Sequence, residues 1–183
     1  SLFLVDDFTD LRGYFQSPVY FGNCFEMIKN TFTFKEDINL AAMFEMQKYF
    51  DGRPLCSLHV RRGDYLEKSN YHPPCSLDYY NKAKSEIMRV TNGNVKFIMF
   101  GDDHQWIRDN LVNENSALVE GNSPEIDLCM MTKAAAHIIS NSSFSWWGAV
   151  LGNYQSVIAP HNWFGPDGPK EWNTVYIQGW GLI

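Results

Sequence analysis

The sequence predicts an α/β fold, with a Rossmann-like parallel sheet that carries helices on both faces. From about residue 50 onwards, short apolar runs alternate with stretches of helical pattern. Such alternation is typical of βαβ units, which set their strands parallel in one sheet. Capping residues mark helix starts, as at Ser76 with Asp78 in the first turn and at Ser123 before Pro124. A serine can satisfy the free N–H groups of a first turn, where a proline loses no hydrogen bond.

The pattern predicts strands and helices in alternation up to about residue 160. The strands lie at residues 55–60, 95–100, 117–120, 137–140 and 156–160. The helices lie at residues 39–50, 76–90, 103–110, 123–135 and 142–151. Because ligands of such folds bind at the carboxyl ends of the strands, the segments that follow the strands are the candidate sites. We interpret the last of these segments, the loop at 161–169, as structural.

The chain length indicates one domain with an additional segment in front of it. With 183 residues, the chain suffices for one globular domain but not for two full ones. Residues 8–34 are rich in aromatic side chains and lack the strand–helix alternation. We expect a lead-in at 1–50, which either packs against the sheet or is the remnant of another domain, and a Rossmann-like ligand-binding domain at 51–183.

The composition excludes a disordered chain and argues against nucleic acid as a partner. Hydrophobic residues make up 45% of the sequence, and the formal net charge is −6. Broad binding to nucleic acid or to an acidic membrane needs a basic surface. A small anionic ligand remains compatible with this charge, because a few local arginines can hold a phosphate.

Cysteine spacing and hydropathy bear on the compartment. The cysteines lack the close spacing of a metal knuckle or redox pair, which favours free thiols in a reducing compartment. No apolar run approaches the roughly 18 residues that cross a bilayer, and no basic region precedes an apolar one at the start. We predict a cytoplasmic protein of the bacterial type without a transmembrane segment, whose membrane association would be peripheral.

The first candidate site is the segment 59–64 (HVRRGD), directly after the first predicted strand. His59 and Arg61 share one face of that strand, because strand residues alternate. Adjacent arginines repel unless an anion or a carboxylate lies between them, and a guanidinium grips phosphate through paired hydrogen bonds. Asp64 would orient an arginine by an ion pair. We predict a phosphate site here, and the alternative is a surface loop with ordinary ion pairs.

The second candidate site is the segment 141–149 (NSSFSWWGA), which follows a strand and starts a helix. Unpaired N–H groups and the helix dipole favour an anion at such a position. The hydroxyls of Ser142, Ser143 and Ser145 add hydrogen-bond donors. The alternative is a serine cap with Trp146 and Trp147 in the core.

Carboxylates supply the remaining candidates. Asp102 and Asp103 end the second predicted strand, where they would accept ribose hydroxyls, bind a metal or cap the next helix. No further metal ligands can be assigned. Asp127 lies in the first turn of a helix, which the helix dipole favours by itself. Near a nucleotide, this carboxylate would also accept the N1 and N2 hydrogens of guanine.

Together, these motifs resemble glycosyltransferase family 11, the α-1,2-fucosyltransferases, and more distantly the α-1,6- and O-fucosyltransferases. The fucosyltransferase signature His-x-Arg-Arg-x-Asp is met by His59, Arg61, Arg62 and Asp64. The segments 127–128 and 140–149 are similar to the family's second signature region, and 11–17 (LRGYFQS) to a stretch upstream of the arginines. The resemblance covers about residues 10–165.

The resemblance implies the C-terminal, donor-binding half of a GT-B enzyme. GDP-fucose would be the donor and a galactose-containing glycan the acceptor, with an α-1,2 linkage, inversion at the anomeric carbon, no metal and no cofactor. Arg61 would hold the β-phosphate, Arg62 would assist or orient, and Asp127 would read guanine. The further donor-binding residues would be His59, Asp102, Asp103, Ser142, Ser143, Phe144 and Ser145. The catalytic residues would be Arg61 and Asp64.

One departure from the family pattern concerns the first domain. Family members carry a Gly-rich segment with Gly-Asn-Gln far upstream of the arginine motif, and this sequence has none. We therefore expect a fragment that lacks most of the first domain, with a general base at Asp64, at Glu67 or in the missing part. Two alternatives stay open. One is a transferase for another nucleotide sugar, and the other is a non-catalytic module that binds a sugar nucleotide or a glycan.

Overall fold

The structure, a computed structural model, describes residues 8–10, 16–152 and 156–183. Its strands are β1 (Leu55–Val60), β2 (Lys96–Gly101), β3 (Ser116–Leu118), β4 (Ala136–Ile138), β5 (Val157–Ala159) and β6 (Gly181–Leu182). Its helices are α1 (Phe25–Thr31), α2 (Glu36–Tyr49), α3 (Leu77–Val90), α4 (His104–Asn110), α5 (Pro124–Thr132) and α6 (Ser143–Leu151). Short 3-10 turns lie at Pro18–Tyr20, Gly22–Cys24 and Asn173–Val175.

These strands form one six-stranded parallel sheet in the order β3-β2-β1-β4-β5-β6. This confirms the predicted Rossmann-like α/β fold. The direction of winding reverses between β1 and β4, so that β2 and β3 lie on one side and β5 and β6 on the other. At such a switch point the loops that follow the two central strands diverge and leave a crevice. The assignment to half of a GT-B enzyme stays a prediction.

Helices cover both faces because the strand residues alternate between two cores. Leu58 and Met99 lie in a core that α3 and α4 cover, whereas Leu55 and Ile98 face the opposite way, towards α5. All four side chains are buried. A third core lies under α6, around the fully buried Trp146.

The segment in front of the sheet packs against these layers. Helix α2 buries Ala42 in the core that contains Ile98 and lies against α5. Phe21 lies in the core under α6, with its ring 6.2 Å from that of Trp146 and 5.9 Å from that of Trp147. The lead-in therefore shares its cores with the sheet, and the domain division at residue 50 stays a prediction.

The predicted elements are all present, with bounds that shift by a few residues. The pattern did not predict α1 or β6. Strand β6 is too short for any alternation, and it forms because Ile183 donates its N–H to Ala159 O at 3.1 Å while His161 donates to Ile183 O at 2.7 Å. Most of the predicted motif at 11–17 lies outside the described residues.

The predictions about membranes and thiols can be followed in the described ranges. None of the helices there combines the length and the apolar character needed to cross a bilayer. The cysteines are free thiols, and Cys56, Cys75 and Cys129 are buried. Burial raises the pKa of the Cys75 thiol to about 11, so this side chain behaves as a small apolar residue.

Gly101, the last residue of β2, is required by the close approach of β1. A Cβ there would lie 2.5 Å from Val60 O and 2.8 Å from Ile107 Cδ1. Because the strand backbone cannot move aside easily, we expect Gly101→Ala to lower the free energy of unfolding by roughly 1–3 kcal/mol. Urea unfolding would measure the loss as a lower midpoint. Gly22→Ala is the matched control, since its Cβ would meet nothing within 4 Å. Equal midpoints for both variants would contradict the close approach.

Candidate functional site

The loops after β1, β2 and β4 lie side by side at the carboxyl edge of the sheet. Arg61 follows β1, Asp102 follows β2 and Ser142 lies between β4 and α6. Because β1 pairs in parallel with both β2 and β4, these three residues come to one edge. Gly63 permits the approach of the first two loops, since a Cβ there would lie 2.8 Å from Asp102 Oδ2.

Arg61 occupies the centre of this edge. Its Nη2 pairs with Asp64 Oδ1 at 2.7 Å, and its Nη1 pairs with Asp102 Oδ2 at 3.1 Å. Its guanidinium carbon lies 5.4 Å from the centroid of the Tyr65 ring. The side chain is still 38% exposed. Because a guanidinium has more N–H donors than these two pairs use, Arg61 can also bind an anion.

Arg62 has a different environment, in which it holds its loop in place. Its backbone N–H donates to Asp102 Oδ1 at 2.9 Å, and its Nε pairs with Asp103 Oδ2 at 3.2 Å. Its guanidinium carbon lies 4.2 Å from the centroid of the Trp106 ring. Asp103 also caps α4, because its Oδ1 accepts the Trp106 N–H at 3.1 Å. The side chains of Arg62 and Asp103 therefore hold the loops after β1 and β2 together.

The aspartates after β2 are thus engaged by arginines. Asp102 contacts Arg61 and the backbone of Arg62, and Asp103 contacts the Arg62 side chain. Across the described part of the chain, no group of three or more His, Cys, Asp or Glu side chains is arranged to hold a metal ion. At this edge two arginines therefore face three aspartates, Asp64 included.

His59 lies buried beneath this edge and is uncharged at neutral pH. Its Nδ1 hydrogen-bonds to the Ser140 hydroxyl at 2.8 Å, and its ring centroid is 5.5 Å from that of Phe144. Burial lowers the pKa of His59 to about 4. The nearby Asp102 raises this pKa by a smaller amount, and Arg61 lowers it slightly further. The imidazole therefore supports the loop as a neutral group.

The serines at the start of α6 have separate roles. The Ser142 hydroxyl caps the helix by accepting the Phe144 N–H at 3.3 Å. Ser143 is exposed. Ser145 is buried, with its hydroxyl 3.3 Å from the carbonyl oxygens of Ser140 and Ser142. Ser143 therefore lies at the surface, whereas the buried Ser142 and Ser145 hold the turn from within.

Two clefts meet at Arg61. The first cleft has a volume of about 330 Å³, and its wall includes His59, Arg61, Asp102, Asp127, Ser142 and Phe144. The second cleft has a volume of about 570 Å³, and its wall includes Arg61, Asp64, Lys68, Tyr71, Ser143 and Phe164. The first cleft brings together six of the residues that the sequence predicted for donor binding.

Asp127 contributes a half-buried carboxylate to the first cleft. Its Oδ1 accepts a hydrogen bond from Asn122 Nδ2 at 3.0 Å. Burial raises the pKa of Asp127, and the hydrogen bond from Asn122 opposes this effect. A carboxylate has more acceptor positions than one amide occupies, so Asp127 can accept further N–H groups from a ligand.

Sequence reasoning missed most of the second cleft. It assigned the loop at 161–169 a structural role, yet Phe164 lines this cleft beside Tyr71 and His72. The available signal was the cluster of aromatic residues that follows the arginine motif, at Tyr65, Tyr71 and His72. That signal does not indicate by itself that the loop after β5 would join them.

Comparison of the sequence with known families shows to which family this chain belongs. The family described as glycosyl transferase family 11 matches residues 4–183. The chain belongs to this family. The resemblance drawn from the motifs is thereby confirmed.

Individual relatives of the family 11 chain come from bacteria and primates. The O-antigen biosynthesis glycosyltransferase WbnK of Escherichia coli is 34% identical over 84% of this chain and 55% of its own length. An alpha-1,2-colitosyltransferase of Escherichia coli is 36% identical over 83% of this chain and 55% of its own. Galactoside alpha-(1,2)-fucosyltransferase 1 of Alouatta belzebul is 24% identical over 84% and 46%. The chain spans about half the length of these curated relatives. No solved structure matches it.

The buried His59 predicts a loss of stability in mild acid. Its pKa in the folded chain is about 4, against 6.5 for the ordinary side chain, so the unfolded state binds more protons between these values. The contribution of His59 to the free energy of unfolding is complete above pH 6.5. It is lost as the pH falls towards 4, by up to about 1.4 kcal/mol per pH unit. In urea unfolding, His59→Asn should lose less stability between pH 7 and pH 5 than the wild type. The exposed His161→Asn is the control, and equal losses in all three proteins would refute the neutral, buried state of His59.

Proposed function

We propose that the protein transfers L-fucose from GDP-fucose to a galactose hydroxyl of a glycan, with an α-1,2 linkage and inversion at the anomeric carbon. Family membership gives the reaction class, a glycosyl transfer. The observation that carries the proposal is the position of Arg61, an accessible guanidinium at the switch point of the sheet where two clefts meet. An anion bound there has room for a different group on either side.

In this proposal the nucleotide occupies the first cleft. Guanine would lie at Asp127, whose carboxylate accepts the N1 and N2 hydrogens together. The diphosphate would lie between Arg61 and the start of α6, whose positive end favours an anion although the Phe144 N–H already donates to the Ser142 hydroxyl. Phe144 and His59 would form the wall between these two ends, since both line this cleft.

Arg61 would act on the leaving group. The acceptor hydroxyl attacks the anomeric carbon from the side opposite GDP, the bond from that carbon to the β-phosphate oxygen breaks, and negative charge builds on the phosphate. Arg61 and the positive end of α6 stabilise this charge. Because both supply positive charge at the phosphate, we propose that the reaction needs no metal.

Asp64 would serve this step by orienting Arg61. It lies 2.7 Å from the guanidinium, so we assign it a positioning role. The proton of the acceptor hydroxyl would pass to another base or to solvent.

A colitosyl donor is the second candidate. It is favoured by the relative named as an alpha-1,2-colitosyltransferase, which is 36% identical to this chain. The two candidates differ in the sugar that the donor carries, so transfer assays with fucosyl and colitosyl donors on one galactoside would separate them.

Calorimetric titration with GDP and with UDP, both in EDTA, tests the donor site. We expect GDP to bind and UDP to bind more weakly, because a uracil ring presents no pair of hydrogens to Asp127. Arg61→Ala should weaken GDP binding roughly 10- to 100-fold, as the loss of a charge-assisted hydrogen bond to phosphate predicts.

Arg89→Ala is the matched control for that titration. Arg89 is an exposed arginine that pairs with Glu86 at 2.6 Å near the end of α3, so its loss should leave GDP binding unchanged. Binding of UDP in preference to GDP would overturn the proposed donor. Binding of GDP that is insensitive to Arg61→Ala would overturn the proposed phosphate site.

Asp127→Asn tests the reading of guanine separately. Inosine diphosphate lacks the N2 amino group, so the wild type should bind GDP about tenfold more tightly than inosine diphosphate. Asp127→Asn should bind both more weakly and with little preference, because an amide replaces one of the two acceptor oxygens by an NH2 donor, which faces a donor of guanine. The exposed Asp78→Asn serves as control. An unchanged preference in Asp127→Asn would remove this residue from the guanine site.

A further inference from the structure

We infer that the second cleft receives the acceptor glycan, and that Tyr71 and Phe164 form an apolar floor beneath its terminal sugar. The inference rests on the proposed function, because it takes the β-phosphate of the donor to lie at Arg61. It adds a site on the other side of that arginine for a neutral saccharide.

The topology of the sheet separates the two ends of the donor. The first cleft lies over β1, β2 and β3, whereas the loop that carries Phe164 follows β5, on the opposite side of the switch point. Arg61 lines both clefts. A donor with guanine at Asp127 and its β-phosphate at Arg61 therefore directs its sugar into the second cleft.

The sizes of the clefts leave room there for a second sugar. The second cleft is the larger one, at about 570 Å³ against 330 Å³. The sugar of the donor is smaller than its nucleoside. The larger cleft would thus be largely empty if it held the fucosyl group alone, and the unfilled space adjoins the carbon that the acceptor must attack.

The walls of the second cleft have the chemistry of a saccharide site. The Tyr71 side chain is 41% exposed, and its ring centroid lies 5.9 Å from that of Phe164, with the planes at 82°. Because the two planes are nearly perpendicular, one ring would stack on the C–H face of a pyranose while the other borders it, and polar groups at the rim would bind its hydroxyls. Asp64 and Lys68 line the same cleft. Their opposite charges suit a neutral ligand better than a second anion.

Two wall residues, Gln16 and His72, each have a buried polar atom without a hydrogen-bond partner among the described residues. The Nδ1 atom of His72 is buried and unpaired within the part of the chain that the structure describes. The His72 ring packs between Tyr65, at 4.7 Å, and Phe164, at 5.5 Å. Buried polar atoms usually have a partner, so His72 Nδ1 leaves a hydrogen-bonding position unused at this wall.

Backbone hydrogen bonds join the two loops that carry Tyr71 and Phe164. Gly165 donates its N–H to Tyr71 O at 3.0 Å, and Asp167 donates to Asn70 O at 3.0 Å. These bonds join the loop after β1 to the loop after β5. A Cβ at Gly165 would overlap the carbonyl group of Asn70, so only glycine permits this approach. The backbones that carry Tyr71 and Phe164 are therefore held together before any ligand arrives, which lowers the entropy cost of binding.

The test measures binding of lactose to the chain in saturating GDP, by saturation-transfer NMR and titration. Lactose presents a terminal galactoside without a charge, and maltose is the comparison sugar that lacks galactose. We expect lactose to bind and maltose to bind more weakly. Tyr71→Ala and Phe164→Leu should each weaken lactose binding roughly three- to tenfold and leave GDP binding unchanged. Phe32→Leu, which changes another exposed aromatic residue outside this cleft, is the matched control.

The outcomes separate this inference from the proposed function. Lactose binding that is unaffected by both cleft variants, or absent while GDP binds, overturns the inference. A loss of GDP binding in Tyr71→Ala also overturns it, since the second cleft would then hold the nucleotide. If lactose binds through Tyr71 and Phe164 but GDP does not bind at all, the saccharide site stands and the proposed donor fails. Because Tyr71 is exposed, its replacement tests the floor even if Phe164→Leu weakens the fold.

Discussion

The arrangement of the site depends on the parallel pairing of β1 with a neighbour on each side. Leu58 lies between Met99 of β2 and Ile138 of β4, and all three side chains are buried. This pairing brings three successive strand ends to one edge. The short contacts that glycine permits at Gly63 and Gly101 let the loops approach further. Without this double pairing, the arginine loop would contact neither the aspartates after β2 nor the start of α6.

The adjacent guanidinium groups of Arg61 and Arg62 would repel each other, and carboxylates at that edge offset this repulsion. Arg62 is fixed by Asp103 and by the Trp106 ring, so its charge is compensated within the protein. Arg61 is held by Asp64 and Asp102 but remains accessible. A phosphate at Arg61 must compete with these carboxylates, which would also repel it. In return the carboxylates keep the guanidinium aimed at the junction, so less freedom is lost when an anion binds.

The clefts on the two sides of Arg61 differ in their chemistry. The first ends at a half-buried carboxylate and is closed by the start of α6. The second has aromatic walls that come from loops far apart in the chain. Gln16, from the segment in front of the sheet, also lines the second cleft. That segment thus contributes to the site as well as to the core, where Phe21 packs near Trp146.

The sequence by itself predicted the parallel sheet and six of the residues that line the first cleft. Strand–helix alternation predicts the parallel fold, and helix caps such as Ser76 and Ser142 mark the starts of α3 and α6, because these signals act over a few neighbouring residues. The motif around Arg61 indicated the family because its residues are also close together in the sequence. Only the tertiary structure decided that Arg62 pairs with Asp103, that Ser145 is buried and that Phe164 meets Tyr71. Those outcomes depend on contacts between loops that follow different strands, and no local pattern encodes such contacts.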